Sequence, residues 1–142
     1  MLRIVLDTNT VISALLWGGT PAKIVDAARA GKVALYTSNE LLTELQGVLQ
    51  REKFARNLAT RNDSAWQVCS TYAVLCNIVA IQAIPRTSIY PDDDMVLATA
   101  TAAKAHLLVS GDRKHLLILG QFENIPIVSV AQAVEMIEKV AW

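Results

Sequence analysis

Short apolar runs alternate with longer segments of helical periodicity along nearly all of this 142-residue chain, and that alternation limits the fold more than any other feature. Leu2 to Leu6, Val33 to Thr37, Ile78 to Ile81, His106 to Ser110 and Ile125 to Val128 each read as a strand. Runs this short and this apolar suit strands buried on both faces. Parallel neighbours need a crossover, and the intervening segments supply it as helices, so an α/β fold with a parallel sheet and helices on both faces is expected.

Punctuation marks the boundaries. A short helix is expected over Thr10 to Leu16, and Thr20 before Pro21 reads as an N-cap for a helix that passes through Ile24, Val25 and Ala28 and stops at Gly31. Ser38 caps a helix carrying Leu41, Leu45, Val48 and Leu49, and Asn62 to Cys76 reads as a long helix with Trp66, Val68, Cys69, Tyr72 and Leu75. After a Pro85 to Pro91 loop, a helix is expected from Asp92 to Lys104, with Asp92 at its cap. The last helix opens with a capping box, Ser129 and Gln132, and buries Val130, Val134, Ile137 and Val140. Without repeat, low-complexity tract or linker, residues 1–142 are expected to form one domain.

Composition narrows the function classes. Thirteen basic and 13 acidic residues cancel, so no broad positive field captures nucleic acid by counterion release; such binding needs local patches or bound cations. No stretch reaches the roughly 18 apolar residues that span a bilayer, and the N-terminal run ends in an acid rather than a cleavage site. Cys69 and Cys76 fall two turns apart on one expected helix, about 10 Å of rise, too far for a disulfide. Both are expected as core packing in a reduced, cytoplasmic protein.

Acids then stand out by position. Asp7 follows the first strand, Asp112 follows Leu107 to Gly111, and Glu44 and the Asp92-Asp93-Asp94 trio lie on helices. In open parallel sheets ligands bind just beyond the carboxyl ends of strands where strand order reverses, so Asp7 and Asp112 converge if their strands are neighbours. Taken singly, each acid has an ordinary explanation as a cap, a turn residue or an exposed helical side chain. Taken together they make a metal-site pattern.

The segments Val5-Leu6-Asp7-Thr8-Asn9, Glu40-Leu41-Leu42-Thr43-Glu44-Leu45, Pro91-Asp92-Asp93-Asp94-Met95-Val96-Leu97-Ala98 and Leu108-Val109-Ser110-Gly111-Asp112, in that order, resemble a PIN domain. The resemblance covers nearly the whole chain and is strongest to a group of toxin-like members related to the VapC-like ribonucleases. It implies a three-layer Rossmann-like fold of about five strands in the order 3-2-1-4-5. It also implies cleavage of single-stranded RNA dependent on Mg2+ or Mn2+, with one or two ions, a cognate antitoxin and a homodimer. Carried over residue by residue, Asp7, Glu44, Asp93 and Asp112 become the catalytic metal ligands. Asp94 stands where many relatives have asparagine; adjacent helical residues point about 100° apart, so Asp93 ranks before it. Lys114 stands where many relatives carry a further acid, which bears on a second ion.

Hard divalent ions take oxygen ligands, and one or two carboxylates plus phosphate oxygens suffice for magnesium. Such ions lower the pKa of bound water and stabilise both the attacking and leaving oxygens of an in-line displacement, which leaves 5′-phosphate and 3′-hydroxyl ends. Thr8, Asn9 and Ser110 flank the acids and are candidates to hydrogen-bond them from behind. Arg51, Lys53, Arg56 and Arg61 form one basic group and Arg113, Lys114 and His115 another; both are candidate RNA contacts, although a solvated helical face is the ordinary reading of such runs. Tyr36, Tyr90 and Trp17 offer rings for base stacking, with core or loop packing expected for each. Two alternatives stand beside the nuclease. One is a non-catalytic RNA- or protein-binding module on the same fold. The other is a haloacid-dehalogenase-like phosphatase, disfavoured because Asn9 occupies the position of that family's second Asp.

Overall fold

The computed structural model describes residues 1–82, 91–114 and 116–139, with backbone alone for 91 and 92. Its sheet runs β3-β2-β1-β4-β6-β5, with β1 Leu2–Leu6, β2 Val33–Thr37, β3 Asn77–Ile78, β4 Leu107–Val109, β5 Gln121–Phe122 and β6 Ile125–Val128. The first five of these in spatial order are parallel, which gives the expected 3-2-1-4-5 order with one addition: β5 pairs antiparallel with β6. That hairpin escaped sequence reading because its turn, Glu123 and Asn124, takes positive φ (52° and 64°) without a glycine to announce it.

The helices are α1 Thr8–Ile12, continuing as a π turn over Ser13–Trp17, then α2 Gly19–Arg29, α3 Asn39–Leu49, α4 Glu52–Thr60, α5 Ala65–Leu75, α6 Pro91–Ala102, α7 Leu116–Leu119 and α8 Val130–Lys139. Several boundaries move from those expected. The helix containing Pro21 starts at Gly19, so Thr20 lies inside it; Gly18, at φ 73°, turns the chain at the cap position where a side chain would be strained. The expected Asn62 to Cys76 helix is α5 alone, capped by Ser64, whose Oγ accepts the Gln67 N–H. Asn62, at φ 53°, ends the separate helix α4 instead. The third strand is Asn77–Ile78 rather than Ile78 to Ile81, and Asp92 lies inside α6, which opens at Pro91, rather than at its cap. The Pro85 to Tyr90 stretch, His115 and Val140 to Trp142 lie outside the described residues.

Register explains the layers. Ile4 and Leu6 of β1 and Leu107 and Val109 of β4 share one core with α1, α2, α5 and α8, while Val5 and Leu108 share a second core with Val96, Leu97 and Ala100 of α6. Alternate residues thus feed opposite faces, each fully buried Leu, Ile or Val contributing about 1.5–3 kcal/mol relative to exposure. Between α3 and α6, the hydroxyls of Ser38 and Thr99, both wholly buried, lie 2.9 Å apart and fix the two helices to each other. Ser129 and Gln132 exchange the two bonds of the expected capping box.

Cys69 packs in the core, and Cys76, at the end of α5 rather than within it, packs against the core's edge. Burial pushes the thiols up to about 11 and about 12 respectively, so neither is a reactive thiolate at neutral pH.

His106, just before β4, accepts the Arg3 N–H at Nδ1 (2.9 Å) and therefore favours its neutral form. Shielding from water is the main cause that lowers its pKa below 6.5, helped by the Arg3 and N-terminal charges. A base with a depressed folded pKa leaves the unfolded chain holding more protons, so its contribution is complete above 6.5 and is lost as the pH falls from there through the folded value. Urea titrations of wild type and His106→Asn are expected to diverge only below about pH 6.5, where the wild type loses stability more steeply. Parallel curves down to pH 5 would contradict this.

Candidate active site

The parallel register that pairs Leu6 with Val109 sets Asp7 beside Ser110 at the carboxyl ends of β1 and β4. The Asp7 N–H donates to the Val109 carbonyl (3.1 Å), which carries the ladder one residue past the strand. Asp7 is 8% exposed and serves as the N-cap of α1, with Oδ1 accepting the Thr10 N–H at 2.9 Å. Its other oxygen accepts the Ser110 hydroxyl at 2.5 Å. Ser110, itself fully buried, also accepts the Asp112 N–H on Oγ at 2.9 Å. One hydroxyl thereby links the backbone of one acid to the side chain of another.

Asp112 is oriented further by the turn it begins. Its Oδ1 accepts the Lys114 N–H (3.1 Å) and its carbonyl accepts the Leu117 N–H (2.9 Å). Across the cleft, the Thr8 hydroxyl donates to Glu44 Oε1, tying α1 to α3. Asp93 enters from the first turn of α6.

Asp7, Thr8, Asn9, Glu44, Arg51, Asp93 and Asp112 all line one cleft of about 270 Å³ with Val48, Val96 and Leu116. The structure therefore brings together four acids from four separate parts of the chain. Asp94 is not among the lining residues, nor are Lys53, Arg56, Arg113 and Lys114, although the last two directly follow Asp112 and are exposed. Ser110 lies beneath the cleft rather than in its wall.

Sequence reading overlooked the apolar wall. Val48, Val96 and Leu116 each follow an acid, Glu44, Asp93 and Asp112, by three or four positions. On α3 and α6 that spacing places the pairs on one helical face, so Glu44 and Asp93 carried the signal for Val48 and Val96, whereas Leu116 opens α7 beyond the turn at Asp112. An apolar wall lowers the local dielectric and strengthens every charge interaction opposite it.

The donor set is all carboxylate, which suits a hard divalent ion and not a soft one. Among the described residues no three His, Cys, Asp or Glu side chains converge closely enough to hold an ion by themselves. Magnesium does not require three, since one or two carboxylates with waters and substrate phosphate oxygens complete its octahedron. The residues therefore fit a divalent cation whose remaining ligands come from solvent and substrate.

Residues 3–114 match the family described as PIN domain. Among solved structures, the fold is similar to that of the crystal structure of VapBC2 from Rickettsia felis bound to a DNA fragment from their promoter, with a TM-score of 0.60 at 16% identity, covering 90% of this chain and 98% of that chain. No curated protein matches. No helix among the described residues is long and apolar enough to cross a membrane.

Proposed function

This chain belongs to the PIN-domain family, and from that premise and its acid-lined cleft we propose that it is a metal-dependent endoribonuclease cutting single-stranded RNA, the toxin half of a toxin-antitoxin pair. The observation that carries the proposal is the meeting of Asp7, Glu44, Asp93 and Asp112, from β1, α3, α6 and the turn after β4, in one cleft. Likeness in fold to VapBC2 supports the toxin role and with it a cognate antitoxin, while a homodimer and a place in the cytoplasm rest on the resemblance of the sequence alone.

Asp7, Asp93 and Asp112 would hold the ion or ions, with Glu44 beside them and Asp94 adjacent. When bound, Mg2+ or Mn2+ supplies Lewis-acid polarisation of the scissile phosphate and a more acidic water. The chain's own residues do the positioning. Ser110 and the Thr10 N–H fix both oxygens of Asp7, so its carboxylate cannot rotate away from the cleft. Thr8 holds one oxygen of Glu44. Arg51, the one cation lining the cleft among the described residues, offers a planar pair of donors to a phosphate oxygen, a charge-assisted contact that also offsets the repulsion between four acids and a polyanion.

Mapping product ends on a panel of labelled RNAs tests the reading. Cuts that require Mg2+ or Mn2+, stop in EDTA and leave 5′-phosphates are expected. RNA binding without cutting would point instead to the non-catalytic module.

A further inference from the structure

We propose that Trp17 is a stacking residue for an RNA base, at the far end of a basic track that starts in the acid cleft. The proposal rests on the nuclease reading above and deepens it by naming the path of the strand. Packing was the expectation for this tryptophan from sequence; instead it is 58% exposed at the last residue of the π turn.

The π turn is what aligns it with the cleft. Asn9, which lines the cleft, is followed at four-residue steps by Ser13 and Trp17. An uninterrupted α-helix would carry Trp17 about 80° around the axis from Asn9. Here the Gly18 N–H bonds to the Ser13 carbonyl at 3.1 Å, an i to i+5 bond, and the wider turn returns residue 17 towards the line of 9 and 13. Trp17 therefore stands over the same surface as Asn9, at most about 12 Å further along.

Helix α4 spans the same interval. Arg51 at its start lines the cleft, and Arg61 just past its end donates from Nη1 to the Leu15 carbonyl at 2.5 Å. Four of the 13 basic residues fall between positions 51 and 61, against the single acid Glu52; Arg61 also lies 3.8 Å from Asp63, so Arg51, Lys53 and Arg56 carry the track. Lys53 and Arg56 are exposed on this helix, with the Lys53 ammonium 5.0 Å from the Phe54 ring centre. On the opposite side of the cleft, the start of α3 presents Glu40 beside Glu44, so a polyanion leaving the acids is drawn along α4. A single strand held through its phosphates turns its bases outward, and an indole face accepts any of them. The stacked base then lies a few nucleotides from the cleaved bond.

Trp66 is an internal control. It is 66% exposed, yet it lies in a groove between α3 and α5 lined by Asn39, Leu42, Gln46 and Ser70, with no basic side chain among the lining residues.

The test is fluorescence anisotropy of a labelled single-stranded RNA in magnesium, in an Asp112→Asn background that prevents cutting. Trp17→Ala is expected to weaken binding about tenfold, the scale of one lost stack, while Trp17→Phe restores most of it and Trp66→Ala changes nothing. Removing one base a few nucleotides from the cut is expected to weaken the parent equally and to add nothing in Trp17→Ala. Unchanged affinity in Trp17→Ala, beside a parent that binds and a wild type that cuts, overturns the track alone and leaves Trp17 as a protein contact. Equal losses from Trp17→Ala and Trp66→Ala also overturn it. A parent that binds no RNA, with a wild type that cuts none, overturns both the track and the nuclease reading.

Discussion

Asp7→Ala is expected to lower RNA cleavage by about a thousandfold and to destabilise the fold by about 1–3 kcal/mol, because one carboxylate serves both purposes. The catalytic part follows from losing a central acid of the cleft: several kcal/mol of charge stabilisation at about 1.4 kcal/mol per tenfold. The structural part comes from its partners. Asp7 caps α1 through the Thr10 N–H and accepts the Ser110 hydroxyl, both in a buried setting, and alanine leaves both donors unanswered. Losing a cap alone costs about 0.5–2 kcal/mol. Relief of repulsion among the remaining acids offsets part of this in metal-free protein. Asp7→Asn separates the two effects in part, since its amide oxygen still accepts the Thr10 N–H while its amide nitrogen cannot accept the Ser110 hydroxyl: activity is expected to fall nearly as far, with a smaller loss of urea stability than in Asp7→Ala. Wild-type cutting rates in Asp7→Asn would remove this residue from the chemistry.

Metal is expected to stabilise the protein as strongly as it activates it. A ligand bound only by the native state at 100 times its Kd adds about 2.7 kcal/mol, which for a 142-residue chain is a rise in melting temperature on the order of 10 °C. Saturating Mn2+ should produce that rise by scanning calorimetry, EDTA should reverse it, and Asp112→Asn should retain only a fraction of it. The physical source is the same as for catalysis: Asp7, Glu44, Asp93 and Asp112 share one small cleft with, among the described residues, a single guanidinium, so a divalent cation removes repulsion that folding alone imposes. A melting temperature indifferent to Mn2+, Mg2+ and EDTA would contradict a native metal site.

The parallel character of the sheet was legible because short apolar strands alternate with helices, with Ile4 to Leu6 after Arg3 a plain case, whereas the strand order itself followed only from the family resemblance. Register then did what spacing alone does not: pairing Leu6 with Val109 is what puts Asp7 and Ser110 side by side. Sequence marked Ser110 as a candidate to hydrogen-bond the acids it flanks, without saying which; its bond to Asp7 crosses 103 positions and depends wholly on strand order. Local irregularity was the least legible. Nothing in Ser13 to Trp17 announces a π turn, and residues that adopt positive φ without being glycine, Asn62, Glu123 and Asn124, hid one helix end and one hairpin. Helix α4 went unrecognised because its two buried anchors, Phe54 and Leu58, sit in a segment dominated by charge. That charge, read as a solvated face, is the same feature that makes α4 a candidate path for RNA.

The most direct test of the central claim compares wild type and Asp112→Asn, purified identically, in single-turnover cleavage of one labelled RNA with magnesium, manganese or EDTA. The account predicts discrete cuts by the wild type in either metal, none in EDTA, and a loss of about a thousandfold or more in the variant, which still folds. Cleavage that persists in EDTA, or equally in Asp112→Asn, would contradict it.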